Sequence, residues 1–293
     1  MKKNILVVTG GAGFIGSNLI EKLLNETKFK IVSIDNYSAG FVSNHVINKR
    51  ITYIKGNIKN ITSILKNQKK NIKAVFHFGE FSRIAQSFEK NSKVFETNIV
   101  GTYEVIKFCF INKIKIIYSA TSASFGNNFN DQHLSPYAFS KTKNLELILN
   151  LNKWFSFKYE IIYFYNAYGT NQIINHKMAA VIGIFETCKK NNTPLPIVKP
   201  GYQKRNFTHV DDIIKGCIYA FKKDKNQQYT ISNNKSYSIL KIAKMFKHKY
   251  KFINSQKGER FKSSLPKKVH GQTIKHIKAN IDIRDYIKKA IKN

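Results

Sequence analysis

The alternation of short apolar runs with amphipathic segments constrains the fold of this chain more than any other feature. Helical periodicity separates the runs, at 14–25, 93–110 and 136–153. Strands that alternate with helices in this way form parallel sheets with helices on both faces. The sequence therefore predicts an α/β fold with a doubly wound parallel sheet, whose first strands are the runs at 5–9, 30–34, 51–55, 74–78, 115–119 and 160–165.

The rhythm becomes irregular after Gly169. A helix is predicted at 178–191, a proline-containing segment follows it, and a last helix is predicted at 283–291. We predict a main domain over residues 1–170, to which later segments return, and a smaller lobe over 171–293 that closes over its mouth. With 42% hydrophobic residues the chain can bury a sizeable core.

The chain is strongly basic, with 50 Lys and Arg residues against 17 Asp and Glu residues and a formal net charge of +33. The lysines are spread along the chain and lack interleaved aromatic residues, so the pattern does not favour a nucleic-acid partner. A basic surface should instead attract an anionic substrate at low salt. No apolar run reaches 18 residues, and the first one is too short for a signal peptide, so we expect a cytoplasmic protein without a membrane partner.

Cysteine and histidine positions do not suggest a metal or disulfide framework. Cys109, Cys188 and Cys217 are odd in number, lack CxxC spacing and lie in apolar stretches, which is typical of buried core thiols. We interpret His77 and His209 as buried structural residues. The sequence therefore predicts no metal site.

A glycine-rich turn joins the first predicted strand to the first predicted helix. Gly10, Gly13 and Gly16 permit a tight turn, close approach of a pyrophosphate and close packing of the helix on the strand. Asp35 ends the second apolar run, where a carboxylate accepts hydrogen bonds from the ribose hydroxyls of adenosine. Because Asp35 would repel a 2′-phosphate, the pattern indicates NAD rather than NADP.

A second cluster of polar residues follows the fifth apolar run. Tyr137 and Lys141 are four residues apart after Pro136, so both project from the first turns of one helix. A phenol has a pKa near 10, so it needs a shift of about three units to act as a base near neutral pH. We expect Lys141 together with the positive nicotinamide ring of the cofactor to provide this shift. Thr121 lies at the carboxyl end of the preceding strand, where it could bind the same substrate hydroxyl.

These motifs together resemble the extended short-chain dehydrogenase/reductase family, in particular its NAD-dependent nucleotide-sugar epimerases and dehydratases, and most of all the UDP-glucose 4-epimerases. The resemblance covers nearly the whole chain and implies a Rossmann fold with NAD as cofactor. It rests on ordered motifs, namely GGAGFIGS at 10–17, VFHF at 75–78, TNIVGT at 97–102, SPYAFSK at 135–141, YNAYG at 165–169 and RNFTHVDD at 205–212.

The resemblance also implies roles for individual residues. The implied catalytic residues are Thr121, Tyr137 and Lys141. Asn166, Arg205 and Arg260 are the candidates for substrate binding, with a surface position of Arg260 left open. Arg83 is a further candidate, because its segment lies where the sugar should sit, although that segment is unlike the small-residue stretch common in relatives. The residues that would bind the cofactor are Gly10, Gly13, Phe14, Ile15, Gly16, Asp35, Asn36, Asn57, Ile58, Phe78, Gly79, Asn98, Ser119, Tyr137 and Lys141.

The expected activity is epimerisation of a nucleotide-diphosphate sugar, with a UDP-sugar favoured, at C4 through a transient 4-keto sugar. Dehydratases of the family have Asp-Glu after the catalytic threonine, whereas Ser122 and Ala123 stand here. A 4-keto reductase, a decarboxylase or a dehydratase of the same family and an epimerase acting at another carbon remain alternatives, as do a non-catalytic NAD-binding regulator and a polyanion-binding protein. The family also implies a homodimer, formed through the helices near 93–110 and 136–153.

Overall fold

The fold is built on a nine-stranded sheet, in a computed structural model that describes residues 3–127, 131–174, 178–255, 257–261, 265–269 and 271–291. Across this sheet the strand order is β14-β15-β11-β6-β5-β4-β1-β2-β3. The strands are β1 (Ile5–Thr9), β2 (Lys30–Asp35), β3 (Ile51–Lys55), β4 (Ile72–His77), β5 (Lys115–Thr121), β6 (Tyr159–Phe164), β7 (Ala167–Tyr168), β8 (Leu195–Val198), β9 (Lys204–Asn206), β10 (Thr208–His209), β11 (Gln228–Ser232), β12 (Ser236–Ser238), β13 (Tyr250–Ile253), β14 (Lys268–Val269) and β15 (Gln272–Lys278).

Helices cover both faces of the sheet. Short 3₁₀ turns occur at Val42–Asn44, Ile58–Asn60, Lys69–Asn71 and Ser122–Phe125, and a π-helical segment occupies Phe95–Gly101. The α-helices are α1 (Phe14–Glu26), α2 (Ile61–Ile64), α3 (Ile84–Glu89), α4 (Asn91–Val94), α5 (Thr102–Ile111), α6 (Pro136–Phe155), α7 (Val181–Lys190), α8 (Val210–Lys223), α9 (Ile239–Met245) and α10 (Ile283–Ala290).

The main sheet is parallel except at its edge, where β14 pairs antiparallel with β15. In the centre, Val7 of β1 pairs with Val32 of β2 on one side and with Val75 of β4 on the other. All of β1 is buried, as expected for a strand covered on both faces. The predicted doubly wound parallel sheet is thereby confirmed.

Two apolar clusters lie on opposite faces of the sheet. One packs α5 and α6 against the strands and includes Val105 and Leu145. The other packs α1 and α8 and includes Leu23 and Cys217. Cys109 and Cys217 are buried as predicted, but Cys188 is only partly buried, because it borders the smaller core formed by α7, α9 and α10.

The C-terminal part contributes both to the main sheet and to the smaller core. β11 pairs with β6 and with β15, so chain from beyond position 171 extends the main sheet. The small two-stranded pairings β7–β10, β9–β12 and β8–β13 lie outside it. Within the described residues, no helix has the length and apolar character needed to cross a membrane.

The predicted continuous α-helix at 93–110 is wrong, because the segment is not α-helical throughout. Residues Phe95–Gly101 are π-helical, between α4 and α5. The wider turn brings Asn98 inward, where its side chain accepts a hydrogen bond from the Phe81 N–H at 2.8 Å and donates to the Phe81 carbonyl at 2.9 Å. Such π-helical turns are common next to functional sites, and this one fixes the backbone after β4. The predicted helix at 178–191 begins later, at Val181.

Candidate active site

A cavity of about 700 Å³ opens at the carboxyl ends of the central strands. This is the edge at which ligands bind in open parallel α/β sheets. The glycine-rich turn and Asp35 line the cavity, as do Tyr137 and the side chains of three arginines, Arg83, Arg205 and Arg260. The fold therefore brings most of the predicted site residues to one opening.

The glycine-rich turn has almost no room for side chains. Gly10 has φ of +71°, and a Cβ there would lie 2.7 Å from the Phe78 carbonyl oxygen. A Cβ on Gly16 would lie 2.1 Å from the Gly10 carbonyl oxygen, since α1 packs directly on the turn. Gly13 caps α1 with an extended backbone, so the first N–H groups of that helix face the cavity end where Gly13, Phe14, Ile15 and Gly16 lie.

Asp35 is buried at the end of β2 and is held by two backbone donors. Its carboxylate accepts from Ala12 N–H at 2.9 Å and from Tyr37 N–H at 2.8 Å. Each carboxylate oxygen still has a lone pair for another donor. Asn36 lines the cavity next to it, while its side chain accepts from Ser38 N–H at 3.0 Å. The site for ribose hydroxyls predicted at Asp35 is thus rigid and faces the cavity.

Of the remaining residues predicted to contact the cofactor, some line the cavity and two do not. Ile58 lines the cavity, as do Phe78, Gly79 and Ser119. Asn57 is not among the lining residues, because its side chain caps the 3₁₀ turn after β3 by accepting from Lys59 N–H at 3.0 Å. Asn98 is also buried behind the wall, where it binds Phe81 rather than facing the cavity.

The start of α6 places Tyr137 and Lys141 on one wall of the cavity. Ser135 accepts a hydrogen bond from Ala138 N–H at 3.1 Å, and Pro136 occupies the first helical turn, so the helix begins where the sequence predicts. Thr121 ends β5 beside them and is hydrogen-bonded to the phenol of Tyr137. The three residues therefore form one contiguous polar surface.

The Tyr137 phenol is a weaker acid in the protein by itself than a free phenol. Burial raises the pKa of Tyr137 to about 12; the hydrogen bond with Thr121 opposes this effect, and the negative charge of Glu80 adds to it. The positive charges of Arg83 and Arg260 lower the pKa of the phenol. In the protein by itself the pKa of Tyr137 is therefore raised, and the lowered pKa expected with the nicotinamide ring beside the phenol stays a prediction.

Burial is the largest cause of the raised pKa, and a contact that the sequence analysis missed adds to it. The Lys141 ammonium, buried beside β5, forms an ion pair with the carboxylate of Glu80 and donates to the carbonyl of Ser119. Burial lowers the pKa of Lys141, and the Glu80 charge opposes that shift. The cation next to Tyr137 is thus compensated by an anion from the segment after β4.

The arginines predicted to bind a diphosphate, Arg205 and Arg260, also line the cavity. Arg260 is 4% exposed and donates to Ser122, to the carbonyl and, at 3.2 Å, to the hydroxyl. Its Nε is buried without a hydrogen-bond partner among the described residues. Burial, together with the nearby positive charge of Arg205, lowers the pKa of Arg260 to about 10. The surface position left open for Arg260 is therefore excluded.

Arg205 and Asn166 are the other two residues predicted to contact the substrate diphosphate. Arg205 projects from β9 and lines the cavity. Burial lowers the pKa of Arg205, and the negative charge of Glu259 opposes that shift. Asn166 follows β6, lines the cavity and donates to the Asn206 carbonyl at 2.9 Å. The geometry thus combines two guanidinium groups with a fixed amide.

Arg83 lies nearer to the phenol than the sequence could indicate. Its Nε donates to the Met178 carbonyl and its Nη1 donates to the Ser82 carbonyl at 2.9 Å. Burial lowers the pKa of Arg83, and the nearby Tyr137 opposes this shift. The guanidinium therefore adds positive charge at the Tyr137 end of the cavity.

Two histidines are structural, as the sequence analysis interprets them. His77 is fully buried, with Nδ1 2.7 Å from the Thr9 hydroxyl and Nε2 2.9 Å from the Thr102 hydroxyl, and burial lowers its pKa to about 4. His209 caps α8 by accepting from Asp211 N–H at 3.2 Å. Over the described ranges, no group of three or more His, Cys, Asp or Glu side chains is placed to hold a metal ion.

Comparisons with known proteins agree with this geometry. The family model described as "NAD dependent epimerase/dehydratase family" matches residues 6–233. ADP-L-glycero-D-manno-heptose-6-epimerase from Brachyspira hyodysenteriae is 29% identical over 267 residues, covering 84% of this chain and 81% of its own.

Among solved structures, the UDP-N-acetylglucosamine 4-epimerase of Methanobrevibacter ruminantium M1, in complex with UDP-N-acetylmuramic acid, superposes with a TM-score of 0.79 at 27% identity. That match covers 98% of this chain and 92% of the other. The UDP-glucose 4-epimerase of Thermotoga maritima, solved with UDP-glucose, has the same fold at 21% identity, with a TM-score of 0.86 and coverage of 98% and 97%.

Proposed function

The chain belongs to the NAD dependent epimerase/dehydratase family, and from that premise we propose that it epimerises a nucleotide-diphosphate sugar at C4. The observation that carries the proposal is the shared cavity. Thr121 and Tyr137 form one wall of it, and Arg205 and Arg260 line it as well. A nucleotide sugar has the matching chemistry, since its sugar carries the reacting hydroxyl and its diphosphate carries the charge.

The cofactor of this family is NAD, and the residues of this chain fit it. At Gly10 and Gly16 a Cβ would collide with neighbouring backbone atoms. The bare backbone of this turn suits the close approach of a pyrophosphate. Asp35 presents a fixed carboxylate to ribose hydroxyls and disfavours a 2′-phosphate. When bound, NAD supplies the chemistry that accepts hydride from the sugar and returns it.

The diphosphate is assigned to Arg205, Arg260 and Asn166. A buried guanidinium whose Nε has no partner among the described residues has unused donor capacity, and phosphate oxygens satisfy a planar guanidinium fork well. Arg205 and Arg260 come from beyond position 170, which supports the proposed division into a cofactor-binding part at 1–170 and a mainly substrate-binding part at 171–293, and Asn166 lies just before that boundary. Holding the diphosphate fixed lets the sugar turn while it stays in the cavity.

The proton transfer is assigned to Tyr137. In the filled site its phenolate takes the proton of the sugar 4-hydroxyl as the 4-keto sugar forms, and the resulting phenol returns that proton to the oxygen when hydride is delivered to the other face. Thr121 hydrogen-bonds the same oxygen and orients it, and the ammonium of Lys141, paired with Glu80, lies one turn further along α6. Binding energy from the remote nucleotide positions these steps.

Dehydration is less well supported than epimerisation. Ser122 and Ala123 stand where dehydratases of the family carry an acid and a base. Glu80 is a carboxylate near Tyr137, but its two oxygens are engaged by Lys141, Thr102, Tyr118 and Asn144. It is therefore poorly available to remove a proton from a sugar ring. The 4-keto reductase and decarboxylase alternatives differ in stoichiometry, since they consume NAD(P)H or release carbon dioxide.

A homodimer is part of the proposal. Phe95 and Phe139 form an exposed edge-to-face pair with centroids 6.1 Å apart, and Tyr103 is exposed on the adjacent α5. These rings lie on the two helical regions that the sequence analysis predicts as the dimer contact. Light scattering should give twice the chain mass, and Phe95→Lys with Phe139→Lys should give the chain mass.

The test of the activity compares the wild type with Tyr137→Phe. Both proteins are purified, the retained dinucleotide is identified by mass spectrometry, and UDP-glucose, UDP-N-acetylglucosamine and UDP-glucuronate are supplied in turn. We expect inversion at C4 without net change in NAD for the wild type, and at least about a 100-fold slower reaction for Tyr137→Phe with NAD still bound. Equal turnover by the two proteins would refute the assignment.

A further inference from the structure

Glu80 is an unusual group to find in the wall of this cavity. It lies three residues after β4, in the stretch Phe78-Gly79-Glu80-Phe81, and its side chain is 2% exposed. A carboxylate is almost never so deeply buried unless it is paired and hydrogen-bonded. The contacts around Glu80 therefore need a physical explanation, which the proposed reaction by itself does not give.

Among the residues that the structure describes, four side chains donate hydrogen bonds to the Glu80 carboxylate. One oxygen accepts from the Thr102 hydroxyl at 3.1 Å, the Tyr118 hydroxyl at 3.1 Å and the Asn144 amide at 3.2 Å. The other oxygen accepts from the Lys141 ammonium. Four donors from β5, α5 and α6 therefore satisfy a carboxylate, which only accepts when ionised.

The same contact fixes the charge and position of Lys141. Its ammonium is 4% exposed, donates to the Ser119 carbonyl as well as to Glu80, and lies 4.5 Å from the centroid of the Tyr118 ring. The ammonium and the carboxylate together carry no net charge. Tyr137 therefore lies beside a neutral pair rather than beside an isolated cation.

We propose that Glu80 is a positioning residue, which holds the Lys141 ammonium in place and, by neutralising it, keeps Tyr137 as a neutral phenol in the free protein. This inference rests on the proposed roles of Tyr137 and Lys141. It deepens them, because the phenol then waits as a proton donor and becomes a base only when bound ligands add positive charge beside it. Such a device couples proton abstraction to a filled site.

Other charged groups also face the pair and the phenol. Burial raises the pKa of Tyr137 to about 12, with Thr121 opposing and Glu80 adding to the shift. The titratable and charged side chains that interact electrostatically with the pair or the phenol are His77, Tyr118, Arg83 and Arg260. Because Arg83 and Arg260 favour phenolate, their effect is opposite to that of Glu80.

The test is Glu80→Gln, which keeps the shape and removes the charge. With tyrosines labelled with ¹³C at Cζ, and the Tyr137 signal assigned by its loss in Tyr137→Phe, NMR follows the phenol as the pH is raised. We expect the Tyr137 midpoint to fall by about one to three pH units in Glu80→Gln, because the uncompensated ammonium then favours phenolate. An unchanged midpoint in a variant with an unchanged melting temperature overturns the proposal.

Two further variants separate positioning from mere folding. Glu259→Gln removes another carboxylate that lines the cavity, and it should leave the Tyr137 midpoint within a few tenths of a unit. Lys141→Met leaves the Glu80 charge uncompensated, so the midpoint should move in the other direction. If Glu80→Gln does not fold, a Lys141→Met midpoint at or below that of the wild type overturns the proposal.

The NMR result does not depend on turnover, so the two hypotheses fail separately. Where epimerase activity is present, the acid limb of the pH profile of kcat/KM should move down with the Glu80→Gln midpoint. If no UDP-sugar is converted but the NMR shift appears, the proposed function fails and the role of Glu80 stands. If conversion occurs and the phenol midpoint does not move, the proposed function stands and the role of Glu80 fails.

Discussion

Replacing Arg260 with glutamine should remove most of the stabilisation that uridine diphosphate gives to this protein. Arg260 is buried, its Nε has no hydrogen-bond partner among the described residues, and its pKa is lowered to about 10 by burial and by Arg205. Two neighbouring guanidinium groups therefore repel each other in the free protein. A diphosphate relieves this repulsion, so Arg260 contributes to binding more than to folding.

The magnitude follows from the contact that Arg260 would make. A hydrogen bond to a charged group contributes about 1.5–3 kcal/mol, so its loss should weaken binding by about 10- to 150-fold. At a UDP concentration 100-fold above the wild-type Kd, the ligand stabilises the wild type by about 2.7 kcal/mol and Arg260→Gln by about 0.3–1.3 kcal/mol. For a chain of this size these energies correspond to shifts in Tm of about 5 °C and about 1–3 °C.

The assay is thermal unfolding with and without UDP, for the wild type, Arg260→Gln and the control Arg284→Gln. Arg284 lies on α10, pairs with Asp282 at the surface and does not line the cavity, so its loss removes the same charge elsewhere. Arg284→Gln should retain the full UDP shift, and ligand-free Arg260→Gln should melt no lower than the wild type. A full UDP shift in Arg260→Gln, or an equal loss in the control, would refute the reasoning.

Three further predictions concern the cofactor end and the core. Gly16→Ala should purify without NAD, because its Cβ would lie 2.1 Å from the Gly10 carbonyl oxygen, and absorbance of the dinucleotide released on denaturation measures the loss. Asp35→Ser should lose at least about tenfold in affinity for NAD and gain relative affinity for NADP, measured by calorimetry, since the carboxylate accepts ribose hydroxyls and repels a 2′-phosphate. Burial lowers the pKa of His77 to about 4, so the unfolded chain takes up its proton first as the pH falls below 6.5. The free energy of unfolding should therefore fall by about 2 kcal/mol from this residue between pH 6.5 and 4.5, and His77→Gln should show a smaller decrease in urea titrations.

The glycine-rich turn and Asp35 could be predicted from the sequence because their environment is local. β1, the turn and α1 are contiguous, and Asp35 ends the next strand in register with β1. The apolar runs also predicted the central strands to within two residues at each end, since a strand buried on both faces has a continuous apolar pattern.

Glu80 could not be placed in this way because its partners are distant in sequence. Lys141 is 61 residues away, and Tyr118 and Asn144 are 38 and 64 residues away. The one available signal was a lone acidic residue among apolar and small ones at the carboxyl end of a predicted strand. That signal indicates a buried charge at the ligand edge, but it does not identify the partner.

Arg260 and the π-helical segment were missed in part for the same reason. Arg260 lies in an irregular segment without periodicity, and its burial depends on Ser122, 138 residues earlier. The wide turn over Phe95–Gly101 is stabilised by the bonds of Asn98 to Phe81 rather than by local propensity. Non-local hydrogen bonds of this kind leave no trace in a helical pattern.

The most direct test of the central claim follows the hydrogen on C4 of the sugar. UDP-glucose deuterated at C4 is incubated with the purified protein in ordinary water, and the product is examined by mass spectrometry and NMR. Tyr137 and NAD acting as proposed predict an inverted C4 that keeps its deuterium, with no net formation of NADH. Loss of the deuterium to water during inversion, or loss of water or carbon dioxide from the sugar, would contradict the account.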